Sequence, residues 1–180
     1  MKVLVVVDMQ KDFIDGVLGT PEAQAIVPNV INKIKKYAAD EDSYIIFTKD
    51  THFQDYLESA EGKKLPVPHC IAHTEGWKIP YELIEAAGDA DINVLNKFTF
   101  GLYDMPLVII DEANDREEEI ESIEVIGLCT DICVISNAMI LKSAFMDTPI
   151  IVDSSCCAGV TPGSHQNALN AMKMCQIDGI

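Results

Sequence analysis

A chain of 180 residues is the size of one ordinary domain, long enough to bury roughly two thirds of its unfolded surface in a single core. Its 29 acidic and 13 basic side chains leave a formal charge of -16. That balance excludes a nucleic-acid partner, because such binders displace counterions with clustered Lys and Arg.

The opening MKVLVVVDMQ carries one lysine and an apolar run of five residues before Asp8, too short for a signal-peptide core or a membrane span. The expected location is the cytoplasm, with no membrane partner. Cysteines 70, 129, 133, 156, 157 and 175 show no framework spacing and no Cys-x-x-Cys pair. They are expected as reduced thiols rather than disulfides or a structural zinc site.

Residues 3–7 (VLVVV) form a continuous, mostly β-branched run, as expected of a strand buried on both faces of a parallel sheet. Ile26, Val30, Ile31, Ile34 and Tyr37 then recur at helical spacing over 22–38, and SYIIFTKD supplies a second strand. An irregular stretch over 49–80 follows. DINVLNK is expected as a third strand, SIEVIGL as a fourth and PIIVDSS as a fifth, with helices over 131–146 and 164–176. Residues 105–121 read two ways: Leu107–Ile110 resembles a strand, whereas Asp104, Pro106 and the acidic run resemble a helix. Alternating strand and helix predicts a single α/β domain over 1–180, three-layer α/β/α, with Rossmann-like topology and a mostly parallel sheet of about five or six strands.

Ligands bind such sheets beyond the carboxyl ends of the strands. There the chain has Asp8, then Lys49 to His52, Lys97, Cys129 to Cys133 and Asp153 to Cys157. Cys133 is expected about one turn into a helix capped by Thr130 or Asp131, where unpaired N–H groups and the helix dipole would lower its pKa below about 8.5. Alone it reads as a small apolar residue; Asp8 and Lys97 nearby make it a nucleophile, with a base and a cation that pairs the base. The loop adds KDTHF and LPVPHC. In an extended segment Asp50 and His52 face one side, and His69 closes on them from the far end. Three N/O ligands plus water would suit Zn²⁺, Fe²⁺ or Mn²⁺. A fourth ligand comes from Glu61 or Glu58, and the sequence does not choose.

The blocks VVVDMQKDF, FTKDTHF, LPVPHC, NKFTFG and GLCTDICV, in that order, resemble the isochorismatase-like cysteine hydrolases, above all their nicotinamidase/pyrazinamidase branch. The resemblance implies an isochorismatase-like fold, a triad of Asp8, Lys97 and Cys133, and a metal site of Asp50, His52 and His69, with zinc as the first choice. It also implies a non-proline cis peptide between Leu128 and Cys129, with the N–H groups of Cys129 and Cys133 as an oxyanion hole. The implied activity is hydrolysis of nicotinamide to nicotinate and ammonia, a step of NAD salvage, through a thioester, with Phe13 stacking on the ring. A related small-amide or carbamoyl hydrolase is the nearest alternative, and isochorismate hydrolysis fits less because it does not call for the Asp-x-His pair. A non-catalytic metal or thiol redox protein using Cys133 and Cys156-Cys157 is a distinct class. Lys11 stands where relatives often carry asparagine, and the chain ends earlier than many. His165 is read as a structural helix-start residue. The apolar surface of helix 131–146 fits burial in the fold or a homo-oligomer interface.

Overall fold

The computed structural model describes residues 1–179. Strands β1 (Lys2–Val7), β2 (Ser43–Asp50), β3 (Ile92–Lys97), β4 (Ser122–Leu128) and β5 (Ile150–Ala158) form one all-parallel sheet in the order β3, β2, β1, β4, β5. The helices are α1 (Lys11–Ile14), α2 (Pro21–Ala38), α3 (Tyr81–Glu85), α4 (Met105–Arg116), α5 (Ile135–Ala144) and α6 (Pro162–Met174).

The apolar run at 3–7 becomes the central strand, and each of those five residues is 0% exposed. Right-handed crossovers fix the layers: the chain steps one way from β1 to β2 and the other way from β4 to β5, so α2 and α5 cover opposite faces. Helix α3 packs beside α2, while α4 and α6 pack against α5. The direction of winding reverses between β1 and β4, which opens a crevice at their carboxyl ends. Gly127, at φ +115°, lies where a Cβ would come within 2.1 Å of the Val7 carbonyl oxygen. A larger residue would force β4 away from β1 just below that crevice.

Some boundaries differ from the sequence reading. Residues 105–116 are helical; Pro106 sits in the first turn, where its missing N–H costs nothing. Strand β5 runs three residues beyond PIIVDSS, because Cys157 and Ala158 pair with Gly127 and Leu128 past an irregularity in the ladder. Asp153 to Cys157 therefore lie within the strand and not after it. Asp153 joins Glu124, a buried carboxylate on β4 that docks α2: Lys33 Nζ lies 2.5 Å from Glu124 Oε1 and 2.8 Å from Asp153 Oδ2, and the Tyr37 hydroxyl donates to Glu124 Oε2 at 2.8 Å. With both oxygens paired, the carboxylate is tolerated there. All six cysteines are free thiols. Among the described residues no helix is long and apolar enough to cross a membrane.

Candidate active site

Three strands deliver Asp8, Lys97 and Cys133 to one buried point. Asp8 follows β1 at φ +46°, a conformation few non-glycine residues adopt. Its N–H donates to the Thr48 carbonyl at 3.2 Å, and its Oδ1 accepts from the Thr48 hydroxyl at 2.7 Å. Lys97 ends β3 and is 0% exposed. Its Nζ lies 2.7 Å from Asp8 Oδ2, 3.1 Å from Asp50 Oδ1, 3.2 Å from the Thr99 carbonyl oxygen and 3.4 Å from Cys133 Sγ. The contact to Asp8 Oδ2 is an ion pair, and that oxygen takes no other hydrogen bond among the described residues.

The electrostatics correct one expectation. Burial, then the facing Asp8 carboxylate, push the Cys133 thiol well above its ordinary range, and Lys97 only partly opposes them. Burial likewise raises Asp8 against the pull of Lys97. Burial would discharge Lys97, but Asp8, Cys133 and Asp50 hold it charged. Burial beside Asp8 therefore favours a protonated Cys133 over a thiolate stabilised by a helix dipole.

The expected caps are also absent. Thr130–Val134 forms a π-helical turn, closed by a hydrogen bond from the Val134 N–H to the Cys129 carbonyl at 3.1 Å, and no side chain caps it. Such turns recur at functional sites. Thr130 Oγ1 instead lies 2.8 Å from His165 Nδ1, and the Asp131 carboxylate accepts from the Val160 N–H at 3.1 and 3.3 Å. The Leu128-Cys129 peptide is cis, and the Cys129 N–H donates to no acceptor among the described residues. Buried Asn137 donates to the Cys133 carbonyl at 2.8 Å and accepts from the Leu102 N–H at 2.9 Å, tying the loop after Lys97 to this turn.

Beside Lys97 lies a second group, Asp50, His52, Glu61 and His69, whose ligand atoms all fall within 4.8 Å of one another. Glu61 joins it; Glu58 lies in the short 3₁₀ turn Tyr56–Glu58 and does not. His52 Nε2 is 3.0 Å from Asp50 Oδ2 and 3.8 Å from Glu61 Oε1, and His69 Nε2 is 3.7 Å from each of the same two oxygens. Donors around an ion at about 2.1 Å stand about 3.4 Å apart in a tetrahedron, so two imidazoles and two carboxylates here fit a divalent zinc, iron or manganese ion. His69 Nδ1 lies 2.8 Å from the Val67 carbonyl oxygen, which directs Nε2 inward. Burial opposes ionisation of Asp50, but His52, His69 and Lys97 outweigh it and hold this carboxyl well below the usual range.

Several supporting residues escape a sequence reading. Gln10, fully buried, accepts from the Asp50 N–H at 2.7 Å and donates to its carbonyl oxygen at 2.9 Å, gripping Asp50 as a strand would. Tyr56 packs edge-on against both His52 and His69, at 4.7 and 5.1 Å between centroids. Neither stands in a telling pattern. Thr48 alternates with Asp50 along β2, the one signal that could have found it. Phe13 is half-buried, its ring 5.4 Å from that of His69.

A three-layer α/β/α fold with an all-parallel sheet and reactive side chains gathered at its switch point defines an α/β protein with its ligand site at the carboxyl ends of the strands. The chain matches the Isochorismatase domain over residues 2–178 and belongs to that family. It is 26% identical to a nicotinamidase/pyrazinamidase of Mycobacterium tuberculosis over 188 aligned residues, covering 99% of this chain and 97% of that one. It resembles the zinc complex of a pyrazinamidase from Pyrococcus horikoshii at TM-score 0.79 and 23% identity, covering 98% and 97% of the two chains. It is also similar to an N-carbamoylsarcosine amidase from Thermoplasma acidophilum, at TM-score 0.71 and 25% identity over 96% and 92%.

Proposed function

We propose that this hydrolase cleaves nicotinamide to nicotinate and ammonia through a thioester on Cys133. The observation that carries the reading is the buried contact of Cys133 Sγ with Lys97 Nζ, itself 2.7 Å from Asp8 Oδ2. As the carboxamide docks, Asp8 takes the thiol proton and sulfur attacks the carbonyl carbon. Lys97 stays charged and stabilises the thiolate as it forms. The oxyanion is held by the N–H groups of Cys129 and Cys133. The C–N bond then breaks, ammonia departs with the proton from Asp8, and water, deprotonated by Asp8, hydrolyses the thioester to the acid and free thiol.

Asp50, His52, Glu61 and His69 would hold the divalent ion, zinc in first place. Bound there, it supplies a Lewis-acid position for the pyridine nitrogen. Phe13, beside His69, would stack on the ring. The names of the Mycobacterium and Pyrococcus relatives support an aromatic amide; that of the Thermoplasma relative supports a carbamoyl substrate as the second reading.

Ammonia release from a panel of nicotinamide, pyrazinamide, benzamide and N-carbamoyl amino acids, with and without added zinc, separates these readings. Nicotinamide is expected to turn over fastest. Turnover confined to carbamoyl compounds selects the second reading, and no release from any amide refutes both.

A further inference from the structure

His165 is singled out in the sequence, and the proposed mechanism leaves it without a role. It lies in the first turn of α6, but the capping bonds there belong to others: the Thr161 hydroxyl accepts from the Ser164 N–H and the Ser164 hydroxyl from the Thr161 N–H. The imidazole instead crosses to the nucleophile turn, where Nδ1 lies 2.8 Å from Thr130 Oγ1. Thr130 is fully buried and directly follows Cys129, whose N–H has no protein acceptor among the described residues. Two further contacts fix the connection between β5 and α6, the first of them to the same turn. Asp131 accepts from the Val160 N–H, and Gly159 lies so close to His165 that a Cβ there would fall 2.8 Å from the His165 Cβ and 2.9 Å from its Cα.

We propose that His165 is a positioning residue that holds the Cys129–Cys133 turn in register for the oxyanion, acting through Thr130. The inference rests on the amidase reading above. A π-helical turn has poorer internal support than an α-helix, and no side chain caps this one. Its geometry therefore depends on outside braces. Bonds aimed at a developing oxyanion lose much of their effect when displaced by a fraction of an ångström to an ångström. The imidazole does not touch the substrate; its contribution is the position of the Cys129 N–H.

The test compares His165→Ala, His165→Asn and Thr130→Val with wild type, each normalised to the Cys133 thiol that iodoacetamide titrates. Removing the imidazole should lower kcat by about 10- to 100-fold while KM changes less than twofold. Asparagine, whose amide group puts a polar atom where Nδ1 sits, should restore most of the loss. Thr130→Val should match His165→Ala, and the double variant should be no slower than either. The distinguishing readout is pyridine-3-carbaldehyde, which adds the thiol to form a tetrahedral adduct and mimics the transition state. Its affinity, read as protection of Cys133 from alkylation, should weaken by the same factor as kcat/KM. A His165→Ala protein with wild-type kcat, or one whose kcat falls with unchanged aldehyde affinity, overturns the positioning role. Protection needs no turnover, so a wild-type chain that binds the aldehyde but releases no ammonia refutes the amidase reading separately.

Discussion

Cys133→Ala, Asp8→Asn and Lys97→Ala should each lower kcat by on the order of 10³ or more, and the losses should not add. The three side chains form one charge-linked unit: Lys97 Nζ touches Asp8 Oδ2 at 2.7 Å and Cys133 Sγ at 3.4 Å. Without the thiol no covalent bond forms. Without the carboxylate the thiol, still pushed up by burial, has nowhere to send its proton. Without the ammonium, neither anion is stabilised. Stopped-flow or steady-state ammonia assays on the singles and on the Asp8→Asn, Cys133→Ala double check this. A double variant much slower than either single would mean that the residues work independently. Lys97→Ala carries a second cost, because it strands the Asp8 and Asp50 carboxylates in the interior; loss of a buried partner is worth about 3–5 kcal/mol of stability.

The sheet and the convergence of Asp8, Lys97 and Cys133 on one edge were legible because β-branched runs such as VLVVV mark buried parallel strands, and such strands carry their ligands at one end. What local patterns do not encode is partner choice. Cys156 to Ala158 hold no strong strand formers, yet they extend β5 because β4 offers Cys157 and Ala158 a ladder. Asp131 suits a cap but bonds Val160 instead, and Thr130 turns to His165. Cys133 carries the clearest lesson: its position near a helix start predicts a lowered pKa, but complete enclosure beside Asp8 reverses the sign. Gln10 was invisible for a related reason, since its role is to imitate a backbone across space.

The second large effect concerns the ring nitrogen. Nicotinamide and benzamide differ at one atom, and a site built around a specific polar group rejects the analogue lacking it far more strongly than it rejects a changed methylene. With Asp50, His52, Glu61 and His69 gathered within 4.8 Å, kcat/KM should favour nicotinamide over benzamide by on the order of 10² or more. His52→Ala should erase most of that preference while Cys133 stays open to alkylation. Chelation should do the same and readdition of zinc should reverse it. An unchanged ratio in metal-stripped protein would make any ion at this site structural and remove the preference for nicotinamide over other amides.

The thioester on Cys133 can be observed directly. Rapid acid quench of the protein during turnover of nicotinamide, followed by proteolysis and mass spectrometry, should find the nicotinoyl group on the peptide containing Cys133, and no adduct on Cys129 or the other four cysteines. Ammonia released at full rate with no acyl group on Cys133, together with retained turnover in Cys133→Ala, would contradict the account.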